Sequence, residues 1–237
     1  MESYNERKNQ DSSFEAFREI AEVLREPVGA ALNLDAETIK NANIDDLYEF
    51  SDVVICKQFE GHDMDWRFTP ETAHLMHIIS AVSLAHSFSD EDRTLYVTKI
   101  VERPLKVMQY KVERMLGQAD RVPALDQIKL FVYDGHDTQA VNLLKWLNPS
   151  NIEYPAFTEY ASQISFELLF SEECLESVET AGEDCFSVQV LFNGKHLELP
   201  GCEEVGKCSY PEFKAYLETL WYSGPHTEDL ALACQAN

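Results

Sequence analysis

The chain has 237 residues, 45% of them hydrophobic and 11% aromatic, which is enough apolar surface for a folded core and too much for a disordered polypeptide. Its 42 acidic residues against 19 basic ones give a formal charge of −23, a field that repels nucleic acid and anionic membranes and makes both poor partners. The same field opposes an anionic substrate unless a local cationic pocket overrides it. No apolar run reaches transmembrane length without a charge or a histidine, so no membrane span is expected.

The amino-terminal stretch Met1 to Gln10 is polar and has no apolar signal core. Ser12 or Ser13 is placed to cap a first helix with Phe14, Phe17, Ala21 and Leu24 on one face. Asp35 is placed to cap a short second helix. A third follows Asp45, with Leu47, Phe50 or Ser51, Val54 and Gln58 in series. Thr69-Pro70-Glu71-Thr72 joins a capping residue to a proline at the first helical position and predicts a helix to about His86. A last helical stretch covers Asp92 to Leu116, broken or kinked at Pro104 because proline lacks the N–H and clashes with the preceding turn. Within this block Gly61-His62-Asp63 reads as a solvated loop, and Arg93 as a surface residue between helices. Glu71, His74 and His77 share a helix face, but a complete metal site needs more donors than one Glu-x-x-His supplies, so a plain helix surface is expected and no metal.

The period changes near Asp120 to Asp126, which divides a helical part, residues 1–120, from a strand-containing part, residues 121–237. Leu130 to Tyr133 is a near-continuous apolar run and predicts a strand over 128–134, covered on both faces in an α/β sheet. It runs into Gly135-His136-Asp137-Thr138. Ala140, Leu143, Leu144 and Leu147 then recur at helical spacing. In open α/β sheets ligands bind beyond the carboxyl ends of the strands. There His136 can supply a phosphate-binding cation and Asp137 a proton donor, and the free N–H groups of the next helix favour an anion. The plainer reading of the same residues is a strand end whose Asp137 caps the helix.

Further on, Ile164, Phe166, Leu168 and Phe170 alternate, as do Phe186, Val188, Val190 and Phe192, the latter run ending at the hairpin signal Asn193-Gly194. Tyr210 to Trp221 reads as a final short helix. Of six cysteines, Cys202 and Cys208 share one short loop, and Cys174 and Cys185 flank the acidic connection between the two alternating runs, placed to close a hairpin. Zinc is the rival use of these thiols, but no Cys-x-x-Cys spacing exists. An oxidising compartment is favoured.

The segment Phe131-Val-Tyr-Asp-Gly-His-Asp-Thr138 resembles the Tyr-Ser-x-His-Asp-Thr signature of the histidine acid phosphatases, in the branch that includes the prostatic and lysosomal acid phosphatases. Leu199-Pro-Gly-Cys202, followed by Cys208 and an aromatic helix, reinforces the likeness, which runs loosely from Phe14 to Cys234. The resemblance implies an α/β fold: a histidine-phosphatase-like three-layer sheet, incomplete because its leading strands are missing, with residues 1–120 as a helical cap subdomain and 121–237 as the carboxyl-terminal part of the core. It implies hydrolysis of a small phosphomonoester through a phosphohistidine, without a cofactor, with His136 contacting the phosphate and Asp137 protonating the leaving oxygen.

That family's nucleophile lies in an Arg-His-Gly-x-Arg-x-Pro motif, and no arginine of this chain is followed by histidine. A catalytically inactive fragment or a pseudoenzyme that binds as a scaffold is therefore the alternative. Asp134 stands where the family has a small hydroxyl residue, and an extra carboxylate weakens anion binding. By the same likeness Cys202 and Cys208 form the family's short loop bridge. Cys56 matches a family cysteine whose partner position falls near Gln163, Cys234 one whose partner lies upstream of Met1, and Cys174 with Cys185 becomes a pair of this lineage. A secreted or lysosomal location, a homodimer, and poor solubility of the chain alone are further expectations of the resemblance.

Overall fold

The structure is a computed structural model. It describes residues 13–63, 65–86, 88–152, 158–177 and 181–224, with 227, 230 and 232. Its contacts divide into two compact units, one ending at Phe88 and the other beginning at Ser89. Helices dominate both, and the second adds a small antiparallel sheet, so the chain is mixed α/β. None of the described helices is long and apolar enough to cross a membrane.

Among the described residues the first unit holds four helices: α1 (Ser13–Leu32), α2 (Ala36–Asn41), α3 (Ile44–Phe59) and α4 (Pro70–His86). Along α1 the buried residues are Ala21, Leu24 and Val28, the expected 3.6-residue stripe extended by one turn; the side chains of Phe14 and Phe17, like Ser12, lie outside the described residues. They pack with Leu47 and Val54 of α3 and with Met76 and Ile79 of α4 in one apolar cluster. Asp35 caps α2 as expected, its carboxylate accepting from the N–H groups of Glu37 and Thr38. The start of α3 differs from expectation. The helix begins at Ile44, ahead of Asp45 rather than after it, and Asn43 caps it: the Asn43 side chain accepts from the Asp46 N–H at 3.1 Å while Asp46 accepts from the Asn43 N–H at 2.7 Å. The reciprocal pair satisfies two donors at once. Thr69 and Pro70 open α4 as the sequence predicts.

The second unit begins with α5 (Asp90–Met115), capped by Ser89, whose hydroxyl accepts from the Asp92 N–H. Asp90, Glu91 and Asp92 crowd its first turn, where the helix dipole favours negative charge. The helix runs unbroken through Pro104. Val97 and Val101 before the proline and Val107 and Tyr110 after it are all buried, so packing on both sides outweighs the one lost hydrogen bond. A single turn, α6 (Pro123–Asp126), follows. It is held by Tyr110, whose hydroxyl donates to Asp126 and accepts from the Val122 N–H.

The strand predicted over 128–134 is absent. The backbone is irregular from Ile128 to His136, with Leu130 78%, Val132 77% and Tyr133 58% exposed. A strand is stabilised by its neighbours' hydrogen bonds and side chains rather than by its own residues, and among the described residues this segment has no neighbouring strand. Its apolar run therefore stays uncovered. Helix α7 (Asp137–Leu147) then forms where the sequence places it.

The sheet consists of β1 (Ile164–Phe170), β2 (Phe186–Phe192), β3 (Lys195–His196) and β4 (Cys208–Ser209). Strand β2 is central. Antiparallel β1 lies along one side of it, from Ile164 opposite Phe192 to Phe170 opposite Phe186, and β3 and β4 pair with different ends of the other side. Asn193 and Gly194, both at positive φ, make the tight turn between β2 and β3. Short helix α8 (Glu172–Glu176) and a 3-10 turn (Glu183–Cys185) lie between β1 and β2 and are bridged by the Cys174–Cys185 disulfide. A second disulfide joins Cys202 to Cys208. Phe186, Val188 and Val190 of β2 are buried, and α9 (Tyr210–Leu220) packs Phe213 and Leu217 into the same interior. Both cysteine pairings match the sequence expectation; Cys234 lies outside the described residues.

Candidate functional site

His136 and Asp137 stand at the start of α7, and both are exposed. Their placement is local: His136 is the N-cap, with an extended backbone (φ −93°, ψ 166°), and its N–H donates to the Gln139 side chain at 2.6 Å. Asp137 is the first helical residue, and its carboxylate accepts from the Thr138 N–H at 2.7 Å. A carboxylate beside an imidazole thus faces solvent at a helix N-terminus whose Thr138 N–H is taken by Asp137 and whose Gln139 and Ala140 N–H groups donate to the His136 carbonyl. Asp134, two residues before His136, is exposed too. Among the described residues, no group of three or more histidine, cysteine or acidic side chains is gathered to hold a metal ion.

The helix behind this pair is clamped from within. Arg93, expected at the surface, is buried, with its side chain 4% exposed. Its Nε donates to Asn142 Oδ1 at 3.0 Å, and the Asn142 amide donates to the Thr138 carbonyl at 2.8 Å. The guanidinium also pairs with Asp90. Arg93, Val97 and Val101 recur every four residues along one face of α5, so helical spacing ranks Arg93 with the buried valines. That was the signal available in the sequence, overridden there by the charge of the side chain. At its other end α7 is tied to α9: Trp146 Nε1 donates to the Leu220 carbonyl at 2.9 Å, and the Tyr216 hydroxyl to the Leu147 carbonyl at 2.7 Å. Burial pushes the Tyr216 phenol up from its ordinary value.

The remaining sequence candidates are scattered. His62 is exposed and pairs with Glu60 at 3.0 Å. Glu71 and His74 are exposed on α4 and His77 is half-buried. The Thr69 hydroxyl holds the Glu71 carboxyl below its usual value, which ties that carboxylate to the helix start. A cavity of about 320 Å³ lies between α5 and α9, lined by Leu105, Met108, Phe213, Leu217 and Trp221, with Tyr210 beside them. Burial pushes the Tyr210 phenol up to about 12. Neither His136 nor Asp137 lines this cavity. It is a packing gap between helices rather than part of the His-Asp pair.

Compared with known protein families and with curated proteins, the chain matches none.

Proposed function

We propose that this chain carries the His-Asp half of a phosphomonoester site of the histidine acid phosphatase type, and that by itself it binds phosphate without turning a substrate over. The observation that carries this reading is the side-by-side exposure of His136 and Asp137 at the N-terminus of an eleven-residue helix, held in place by the Arg93–Asn142 clamp. In the full reaction a histidine nitrogen attacks phosphorus and forms a P–N bond while the P–O bond to the alcohol breaks. Asp137 gives its proton to the leaving oxygen, His136 holds a phosphate oxygen, and water then hydrolyses the phosphohistidine. Both the nucleophile and the arginine clamp are needed for that covalent step. No Arg-His pair occurs in these 237 residues, so another segment or chain has to supply them.

In this reading residues 128–134 become a strand of a three-layer sheet once neighbouring strands are present, with residues 1–120 as its cap and 121–237 as part of its core. The substrate is a small phosphomonoester. The two disulfides support a secreted or lysosomal setting. The alternative of an inactive relative that binds as a scaffold is supported by exposed Asp134 and the net charge of −23, both of which oppose a dianion.

The test is a titration of isotope-labelled chain with inorganic phosphate, following the His136 ring resonances, alongside p-nitrophenyl phosphate hydrolysis at about pH 5. The expected result is a saturable shift of His136 with no turnover in the wild type or in Asp137→Ala. A His136 signal indifferent to phosphate sinks the reading. Turnover that Asp137→Ala abolishes shows instead that a nucleophile resides in this chain.

A further inference from the structure

We propose that the open edge of β1 in one copy of the chain pairs antiparallel with the extended segment 128–134 of a second copy, in the register that sets Lys129 opposite Glu167. Two unfinished halves of a ladder lie in the same unit. Strand β1 hydrogen-bonds only to β2 among the described residues, so the N–H and C=O groups along its other side form an edge. Natural sheets blunt such edges with lysine, proline, bulges or very short strands. Strand β1 has no lysine, proline or bulge, and its seven residues, Ile-Ser-Phe-Glu-Leu-Leu-Phe, carry Glu167 as their one charge. Leu169 and Phe170 remain exposed on it.

Segment 128–134 is the complementary half. It is equally long, rich in the β-branched and aromatic residues that favour strands, and paired with no strand among the described residues of its own copy. Lys129 is its one basic residue, exposed like Glu167. In an antiparallel ladder, residues directly opposite each other point to the same face. Setting Lys129 against Glu167 therefore puts Ile128 against Leu168, Leu130 against Phe166 and Val132 against Ile164, three apolar pairs on the other face. A slip of one residue sets Lys129 against Phe166 or Leu168 and mixes the faces. Both halves belong to one unit yet do not pair with each other there, so the occupant of each is a second copy. The contact joins different surfaces, so copies can add at either end. It does not depend on phosphate binding at His136.

Sedimentation equilibrium over a wide concentration range tests this on the full chain. Wild type is expected to form species heavier than 27.1 kDa as concentration rises. Lys129→Glu and Glu167→Lys, both at exposed positions, should each weaken association roughly three- to tenfold, and the double variant should restore it. General charge predicts a different order: Lys129→Glu changes the net charge by −2, from −23 to −25, and Glu167→Lys by +2, to −21, while the double variant stays at −23. If repulsion alone governed, Glu167→Lys would associate more tightly than wild type. That result overturns the proposal, as does a wild-type chain that stays monomeric throughout or a double variant that is not rescued.

Discussion

Arg93 shows how a single side chain can decide the position of a helix. Its guanidinium is nearly closed off from water, whereas the Asp90 side chain that pairs with it is 94% exposed. A buried charge is costly unless its hydrogen bonds are made, and an exposed partner is worth little because water and salt screen it. Between these two, Asn142 counts for more, being buried itself and relaying the contact to the first turn of α7 through the Thr138 carbonyl. We expect Arg93→Met and Asn142→Leu each to lower unfolding free energy by about 1.5–3 kcal/mol, the range for hydrogen bonds to charged groups, and the double variant to cost clearly less than their sum. Asp90→Ala should cost under about 1 kcal/mol. Urea denaturation followed by circular dichroism checks all four; an Asp90→Ala cost as large as that of Asn142→Leu would reverse the assignment. The sequence contained the four-residue spacing of Arg93 with Val97 and Val101. It did not contain Asn142 as a partner 49 positions away, which only packing of α5 on α7 creates.

Elements differ in how much of their stability is local, and that decides which were legible. Helix α4 announces itself through Thr69 and Pro70, and the β2–β3 hairpin through Asn193-Gly194, because caps and tight turns are satisfied within a few residues. The segment 128–134 has as strong a strand pattern as β2, yet β2 is a strand and 128–134 is not. The difference is the company each keeps: β2 has β1 on one side and β3 and β4 on the other. The disulfides reinforce that sheet, Cys174–Cys185 closing the excursion between β1 and β2 and Cys202–Cys208 locking the loop that leads into β4. With sequence separations of 11 and 6, each should contribute about 2–3 kcal/mol by restricting the unfolded chain. Reduction is therefore expected to lower the urea midpoint of the second unit, read from the near-ultraviolet signal of Trp146 and Trp221, which are packed edge to face with ring centroids 6.1 Å apart. Superimposable oxidised and reduced curves would show that the sheet stands without them.

At the scale of the whole molecule, a charge of −23 on 237 residues works against compaction and against self-association alike. Repulsion between exposed charges is screened over about 8–10 Å at moderate salt. Raising sodium chloride should therefore raise the melting temperature by several degrees. Scanning calorimetry at low and high salt checks this; a melting temperature that falls with salt would mean that specific ion pairs outweigh the net field. The sequence by itself pointed to the longer helices, the alternating runs that become β1 and β2, the Asn193-Gly194 turn, both cysteine pairs and the adjacency of His136 and Asp137, because caps, turns and chain neighbours act over a few residues. It also determined the charge. Only the tertiary structure decided that 128–134 remains unpaired, that α5 passes through Pro104 without a break, and that Arg93 lies inside rather than outside. Each of those depends on partners distant in the chain, and a residue pattern states what a segment is able to bury, not whether anything arrives to cover it.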